Sequence, residues 1–212
     1  MSPSTIEAIK VLTDNSNPRH LDGWCWLDKA MTLCSYIEKE RPSVVVDLGI
    51  FGGRSMIPMA LQLRDNADGG VCYGIDPWTN TAALEGEHKP EDSAWWGKVN
   101  LNDVMMKFLW RIQELGLIDF AVPIRATSQA VHAIFPKESI DFLHIDSNHS
   151  ELASLRDIAL YVPKVRSGGL ICLDDLKWES NKAAVDRLDG HCDRVQDIDG
   201  GPQGYARLYR KP

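Results

Sequence analysis

Three aspartates in the 212-residue sequence follow two strongly apolar runs and could bind a metal ion. Asp146 follows SIDFLHI, and Asp174 and Asp175 follow GGLICL. If these runs are neighbouring parallel strands, the three carboxylates meet at the carboxyl edge of a sheet, where α/β proteins bind ligands. Their mutual repulsion and their oxygen donors predict a Mg²⁺ site that leaves positions for water and substrate hydroxyls. The alternative is that the aspartates only cap the following loop and helix.

A histidine near this cluster is a candidate general base. His149 lies three residues after Asp146, in the turn SNHS, where a side chain can reach a substrate. A hydroxyl attacks well only after it loses its proton, and a metal-bound hydroxyl loses it more easily. We therefore predict that His149 and Asp146 are catalytic, the alternative being a solvated histidine with no role. His144, within the apolar run, is expected to pack or pair internally.

A glycine-rich turn in VVVDLGIFGGRS joins a predicted strand to a helix that opens near Ser55. Gly49, Gly52 and Gly53 would let the backbone approach a ligand closely. Asp47 ends the strand at the edge where such sheets bind ligands. The turn is not G-x-G-x-x-G, so tight packing of strand against helix is the alternative to a cofactor site.

The next predicted strand, VCYGI, ends at a second acid, Asp76. An acid at this position commonly accepts hydrogen bonds from ribose hydroxyls. The alternative is that Asp76 forms a turn before Pro77 by bonding nearby backbone amides. Trp78 could pack on an adenine or be an ordinary, partly exposed aromatic residue.

The elements that must position these residues alternate along the chain between apolar strands and helices of 3.6-residue period, which predicts an α/β fold with a parallel sheet. Predicted strands cover 43–49, 71–76, 120–126, 139–146 and 168–175. The C-terminal tail has two alternating segments around DGGPQG, which predicts an antiparallel hairpin at a sheet edge. We predict one domain over 1–212, with an N-terminal helical segment, 1–40, and a polar stretch, 77–97, as a candidate substrate lid.

Several tryptophans lie in polar segments around the predicted site. Trp24 and Trp26 precede the first periodic helix, and Trp95 and Trp96 end the candidate lid. Such residues could offer faces to an aromatic or sugar ring of the acceptor. The alternative is that they anchor irregular segments to the core.

Composition excludes several classes of function. A net charge of −7 disfavours binding to nucleic acid, which relies on clustered Lys and Arg. No basic, apolar leader and no run of about 18 to 20 apolar residues is present, so we expect a cytoplasmic protein without membrane contact. The five cysteines form no C-x-x-C pair and are expected to be buried free thiols.

Four motifs in order carry a resemblance that spans about residues 25–176: DLGxxxG, GIDPW, SIDFLHIDSNHS and GGLICLDD. Together they resemble class I S-adenosylmethionine (SAM)-dependent methyltransferases. The segment HIDxxHS and the later LDD resemble the small-molecule O-methyltransferases of natural-product and sugar tailoring, including metal-dependent macrolide sugar enzymes. The resemblance implies a Rossmann-like seven-stranded sheet, mostly parallel with an antiparallel C-terminal strand and helices on both faces.

The resemblance also implies roles for individual residues. Asp47 and Gly49 would flank the methionine part of SAM, Asp76 would hold the ribose hydroxyls, and Asp146 would border the same cofactor. Ser128 matches the region that lines the adenine, although it could instead cap a helix over 129–135. Related enzymes place a metal ion at the three aspartates, act on small-molecule acceptors and often form homodimers.

Three other functions remain open at this stage. An NAD-dependent oxidoreductase would also use a glycine-rich turn and an acid after the second strand, but it would carry G-x-G-x-x-G. A metal-independent methyltransferase acting on nitrogen or a carboxylate would keep its activity when divalent ions are chelated. A non-catalytic SAM-binding module would keep its function when His149 or Asp146 is replaced by Ala.

Overall fold

The structure, a computed structural model, describes residues 1–86, 89–199 and 204–212. Its helices are α1 (Pro3–Thr13), α2 (Leu27–Glu40), α3 (Met56–Asn66), α4 (Asn80–Ala83), α5 (Pro90–Trp96), α6 (Leu101–Glu114), α7 (Ser128–Val131), α8 (Glu151–Tyr161) and α9 (Lys182–Asp189). Its strands are β1 (Val44–Leu48), β2 (Val71–Ile75), β3 (Ala121–Ile124), β4 (Ile140–Ile145), β5 (Val165–Leu173), β6 (Asp193–Asp199) and β7 (Tyr205–Arg210). Short 3₁₀ turns cover His132–Ile134, Val162–Lys164 and Glu179–Asn181.

The seven strands form one sheet in the order β3-β2-β1-β4-β5-β7-β6. The first five strands pair in parallel, whereas β7 pairs antiparallel with both β5 and β6. The predicted mostly parallel sheet with an antiparallel C-terminal strand is therefore confirmed. The turn of the predicted hairpin, 200–203, lies outside the described residues, but both of its strands are present.

Helices cover both faces of the sheet because successive strand residues point to opposite sides. In β1, Val45 belongs to the core on the side of α2, α3 and α6, and Val46 belongs to the core on the side of α8 and α9. In β4, Phe142 and Leu143 divide between the same two cores. Because helices cover both faces of the sheet, the central strands are unbroken apolar runs in the sequence. All five cysteines are buried in this interior and form no disulfide bond.

The N-terminal segment 1–40 consists of α1 and α2 joined by a non-helical stretch, 14–26. Arg54, which is 3% exposed, fastens this stretch to the glycine-rich turn. Its Nε donates to the carbonyl of Cys25 at 2.9 Å, and its Nη1 donates to the carbonyls of Leu21 and Gly23 and to Oδ1 of Asn15. The buried guanidinium of Arg54 therefore holds the stretch 14–26 in place through hydrogen bonds to uncharged acceptors.

The candidate lid, 77–97, contains α4 and α5, which its sequence period did not predict. Asn80 ties the two ends of this stretch because its Nδ2 donates to the carbonyls of Trp96 and Val99, at 2.6 and 3.1 Å. Residues 87 and 88 lie outside the described residues. Its role as a lid stays a prediction. Within the described part of the chain, no helix has the length and apolarity to cross a membrane.

Candidate active site

A cavity opens at the carboxyl ends of β1, β2 and β4, on the edge of the sheet that the sequence predicted. Its empty volume, counted out into the open solvent at its mouth, is about 1210 Å³. The predicted site residues that line it are Gly49, Ser55, Asp76, Ser128, Asp146 and His149. Asp47, Gly52, Gly53, Trp78, Asp174 and Asp175 are not part of its lining.

Asp47 lies beneath the cavity floor and is fully buried. Its Oδ2 accepts a hydrogen bond from Oγ of Ser55 at 2.7 Å, and its Oδ1 lies 2.6 Å from Nδ1 of His144. Ser55 thus stands at the start of α3 without capping it, because its hydroxyl is used by Asp47. The expected internal pairing of His144 is present, and Asp47 supports the floor rather than facing the cavity.

The three glycines of the turn are required by close contacts. Gly49 and Gly53 have φ of 89° and 85°, where a side chain is strained. A Cβ on Gly49 would lie 2.0 Å from the carbonyl oxygen of Asp146, and one on Gly52 would lie 2.4 Å from that of Asp22. Gly52 and Gly53 therefore allow the turn to pack tightly, which was the alternative to a cofactor site. Gly49 does so too, and it also borders the cavity.

Asp76 directly follows β2 and lines the cavity, and each of its carboxylate oxygens already accepts one hydrogen bond. Its Oδ2 accepts from the backbone N–H of Phe51 at 2.9 Å, and its Oδ1 accepts from that of Trp78 at 2.7 Å. Burial raises the pKa of Asp76, and these backbone hydrogen bonds partly oppose the shift. Each carboxylate oxygen keeps a second lone pair for a hydroxyl donor.

Trp78 is buried in the core, which excludes the alternative of an ordinary, partly exposed aromatic residue. Only 3% of it is exposed, and its ring centroid lies 5.7 Å from that of Phe108. Its Nε1 donates to the carbonyl of Phe51 at 2.8 Å. The indole therefore packs behind the glycine-rich turn and holds it in place.

The cap of the helix after β3 is Thr127, whose side chain accepts from the N–H of Ala130, so the expected cap at Ser128 is wrong by one residue. Ser128 instead donates its hydroxyl to Oδ1 of Asp157 at 2.5 Å. Ser147 donates to the other oxygen of Asp157. Burial raises the pKa of Asp157. Ser128 and Asp157 both line this end of the cavity.

Asp146 and Asp174 share a buried cation, Lys29, which the sequence reasoning missed. Lys29 extends from α2 and is 2% exposed. Its Nζ donates to Oδ2 of Asp146 at 3.2 Å and also to Oδ2 of Asp174. The Mg²⁺ prediction relied on the mutual repulsion of the three aspartates, but two of them have a positive partner in Lys29.

The pKa values of Lys29, Asp146 and Asp174 are shifted by burial and by the charges of one another. Burial lowers the pKa of Lys29, but the charges of Asp146 and Asp174 raise it well above its usual value. Burial raises the pKa of Asp174, but the charge of Lys29 and the hydrogen bonds with Asp146 and Lys29 together outweigh burial, so this pKa lies below its usual range. Burial and the charge of Asp174 raise the pKa of Asp146 well above its usual range despite Lys29. The cluster is therefore short of positive charge.

Possible metal ligands among the described residues form two sets of three whose donor atoms lie within 4.8 Å of one another. One set is His144, Asp146 and Asp174, and the other is Asp146, His149 and Asp175. Asp174 and Asp175 thus fall into different sets that share Asp146. The predicted arrangement of three carboxylates around one ion is replaced by two mixed histidine and aspartate sets.

His149 lies at the cavity wall with about 23% of its side chain exposed. Its Nε2 is 2.9 Å from Oδ2 of Asp175, and its ring centroid is 5.0 Å from that of Trp178. Burial lowers the pKa of His149, but the hydrogen bond and charge of Asp175 outweigh this, so its pKa is raised. Asp175 therefore orients the ring through Nε2.

Asn148 joins the turn that carries His149 to the segment after α4. Its Nδ2 donates to the carbonyls of Ala82, Ala83 and Glu85 at 3.1, 3.2 and 2.9 Å. Its Oδ1 accepts from the N–H of Ser150 at the start of α8. The final carbonyls of a helix lack partners within it, so Asn148 satisfies those of α4 while fixing the turn beside the candidate base.

Four aromatic residues pack together at the cavity mouth. The ring centroid of Trp24 lies 5.2 Å from that of Phe51 and 5.4 Å from that of Trp95. Trp95 and Trp96 lie 4.8 Å apart. Trp24 and Trp95 remain 49% and 45% exposed. The aromatic cluster anchors α5, in line with the alternative that these tryptophans attach irregular segments to the core. It also leaves indole faces exposed beside the cavity.

A family model described as a methyltransferase domain matches residues 46–176, which is more than half of the chain. The chain belongs to this methyltransferase domain family. The matched residues run from β1 to the acid cluster, so they include the cavity floor and the candidate base. Family membership removes the NAD-dependent oxidoreductase alternative.

Several solved structures that are similar to this methyltransferase are described as methyltransferases. An O-methyltransferase from Bacillus cereus, in complex with S-adenosylhomocysteine (SAH), aligns with a TM-score of 0.65 at 14% identity over 100% of this chain and 92% of that one. The O-methyltransferase TomG of Streptomyces achromogenes is involved in tomaymycin synthesis and is bound to SAM. It aligns with a TM-score of 0.64 at 12% identity, over 100% of this chain and 91% of that one.

A methyltransferase from Geobacter sulfurreducens aligns with this methyltransferase at a TM-score of 0.60 and 13% identity, over 99% of this chain and 90% of that one. At these identities the likeness concerns the fold, which is that of the class I methyltransferases that the motifs resemble. No curated protein matches the sequence.

Other cavity residues of this methyltransferase carried no signal in the sequence. Arg156 forms two hydrogen bonds with the carboxylate of Glu85, at 3.0 and 3.1 Å, and lines the cavity with Gln129 and Asp157. Arg156 and Asp157 belong to α8, where a charged residue on a helix usually faces solvent. Only the packing of α8 beside α7 turns them toward the site.

Proposed function

We propose that this protein transfers a methyl group from SAM to a hydroxyl of a small polar acceptor. The observation that carries the proposal is that the glycine-rich turn, Asp76 and His149, whose Nε2 pairs with Asp175, border one continuous cavity. A cofactor and an acceptor bound there would be neighbours. Such alignment of two bound reactants supplies much of the acceleration of a direct displacement.

The cofactor half of the cavity suits a nucleoside. Asp76 keeps acceptor capacity on both oxygens for the ribose hydroxyls, and Gly49 lets a ligand approach the backbone. Ser128, Gln129 and Asp157 offer polar groups at the far end for a base. In the similar structures from Bacillus cereus and Streptomyces achromogenes, SAH and SAM are bound.

SAM supplies an electrophilic methyl group on a sulfonium sulfur, and transfer of that methyl to an acceptor oxygen yields SAH and one proton. The acceptor oxygen forms the new O–C bond as the S–C bond breaks, and the bonding electrons stay on sulfur. His149 accepts the hydroxyl proton at Nδ1, since its Nε2 faces Asp175. Asp175 then stabilises the imidazolium that results.

The acid cluster fits a divalent cation. Asp146 would hold it together with either Asp174 or Asp175, because both candidate ligand sets contain Asp146 and because the raised pKa of Asp146 indicates a shortage of positive charge even beside Lys29. When bound, such an ion lowers the pKa of a coordinated acceptor hydroxyl. Mg²⁺ was predicted from the carboxylates alone, and that identity remains a prediction.

The test is calorimetric titration of the purified full chain with SAM and with SAH, each with and without Mg²⁺. Micromolar binding, about −8 kcal/mol, is expected for both ligands. Asp76→Ala is expected to weaken both about tenfold or more, because hydrogen bonds to a charged group contribute about 1.5 to 3 kcal/mol.

A screen of polyhydroxylated acceptors with SAM labelled in its methyl group would then identify the acceptor class. Metal-independent transfer to nitrogen or a carboxylate would appear as activity that survives chelation. If neither SAM nor SAH binds to the folded protein, the proposal is wrong.

A further inference from the structure

His144 is a buried histidine with one ring nitrogen occupied and the other unsatisfied. Its Nδ1 lies 2.6 Å from Oδ1 of Asp47. Its Nε2 has no hydrogen-bond partner among the described residues, and the side chain is completely buried. A buried polar nitrogen without a partner is energetically unfavourable, so this atom is expected to meet a ligand.

The unsatisfied histidine belongs to the acid cluster. His144, Asp146 and Asp174 present donor atoms within 4.8 Å of one another. β4 and β5 bring them together, since His144 pairs in register with Cys172, two residues before Asp174. A histidine whose other nitrogen is held by a carboxylate is the usual arrangement around a protein-bound metal ion. Asp47 would play that supporting part here.

Neither ligand set of the cluster is made of oxygen alone. The first contributes the imidazole of His144, and the second, which shares Asp146, contributes the imidazole of His149. Imidazole nitrogen suits Zn²⁺, Fe²⁺, Co²⁺ or Ni²⁺, and Mn²⁺ accepts mixed donors, whereas Mg²⁺ requires oxygen. The donor chemistry therefore departs from the all-oxygen site predicted for this edge of the sheet.

We propose that His144, Asp146 and Asp174 form a mixed nitrogen and oxygen metal site that selects a first-row transition-metal ion over Mg²⁺. The inference rests on the proposed function, because it names the class of cation at the same active-site cluster. It adds His144 as a ligand and Asp47 as the residue that orients it. Lys29 is the internal competitor, since its ammonium contacts Oδ2 of both aspartates.

The experiment titrates the full-length protein with Co²⁺ and follows its visible d–d absorption, with Mg²⁺ titrated in parallel by calorimetry. We expect Co²⁺ to bind at least tenfold more tightly than Mg²⁺. His144→Gln is expected to weaken Co²⁺ binding about 10- to 100-fold and to change the spectrum. His191→Gln, at an exposed histidine, is the matched control and should leave both unchanged.

A second measurement does not depend on the folding of the His144 variant. Pulsed electron paramagnetic resonance of Mn²⁺ bound to the unmodified protein should show coupling to an imidazole ¹⁴N nucleus. The coupling should persist in His149→Gln, which removes the other imidazole. Lys29→Met should tighten Mn²⁺ binding, because the competing ammonium is gone.

Equal affinity for Mg²⁺ and Co²⁺, absence of ¹⁴N coupling, or no metal binding at all would each overturn this inference. SAH is titrated into the same preparation to separate the two proposals. SAH binding without nitrogen ligation leaves the methyltransferase proposal standing and removes only the metal assignment. Failure of SAH to bind counts against the proposed function, whatever the metal data show.

Discussion

His149 and Asp175 form the pair on which the proposed proton transfer depends. The distance of 2.9 Å between Nε2 and Oδ2 orients the ring and favours its protonated form. The base must be unprotonated before it can accept a proton. A raised pKa therefore has two effects at neutral pH. It reduces the fraction of His149 that is unprotonated and can accept a proton, and it makes each unprotonated His149 a stronger base.

The rate of methyl transfer is accordingly expected to rise with pH through an apparent pKa above about 6.5, the usual value for histidine. The direction follows because the unprotonated fraction grows as pH increases past the folded-state pKa. The measurement is the initial rate with SAM and the identified acceptor across neutral pH.

Replacement of the base tests the same assignment. His149→Gln is expected to lower kcat about 10²- to 10⁴-fold and to remove this pH limb, while SAH affinity stays within about threefold. His191→Gln is the control. An unchanged pH profile in His149→Gln would assign the proton transfer to another group.

The turn between β4 and α8 connects two elements that are distant in sequence. Asn148 carries donors for the carbonyls after α4 and an acceptor for the N–H of Ser150. These two functions can be separated chemically. Aspartate retains the acceptor oxygen and loses the donors.

Asn148→Asp is expected to accelerate amide hydrogen exchange in 79–86 about tenfold, because the lost hydrogen bonds contribute about 0.5 to 1.5 kcal/mol each. Hydrogen exchange followed by mass spectrometry measures it. Asn17→Asp is the matched control, since Oδ1 of Asn17 also accepts a backbone N–H, from Arg19. Unaltered exchange in 79–86 would mean that the Asn148 side chain only stabilises the turn before α8.

At the scale of the whole molecule, Arg54 links the N-terminal segment, 1–40, to the glycine-rich turn. Its guanidinium is buried among carbonyls of the stretch between α1 and α2. Because that stretch carries Trp24 and leads into the helix with Lys29, the site depends on this link. Burial lowers the pKa of Arg54, but an arginine stays charged at neutral pH.

Arg54→Met is expected to reduce the free energy of unfolding by about 2 to 4 kcal/mol, because several buried carbonyls lose their donor. Urea unfolding of the full chain provides the measurement. Arg19→Met, at an exposed arginine paired with Glu114, should change it by about 0.5 kcal/mol or less. Similar losses in both variants would contradict the linking role of Arg54.

Much of the fold followed from the order of residues alone. The apolar runs predicted the strands, and the alternating tail predicted the antiparallel ending, because periodicity reports directly which faces a strand buries. The carboxyl ends of parallel strands lie on one edge, so Asp76, Asp146 and Asp174 could be assigned to the same edge before any contact was known. Local boundaries were less secure, as the cap at Thr127 rather than Ser128 shows.

The partners of those residues depended on the tertiary structure. Lys29 meets Asp146 across 117 positions and Asp174 across 145, and His144 meets Asp47 across 97. No periodicity encodes such pairs, because each depends on how separate elements pack against one another. The sequence by itself determined the α/β fold and the edge that carries the acids. Only the packing of α2 and β1 against that edge decided which charges and which buried nitrogen surround them.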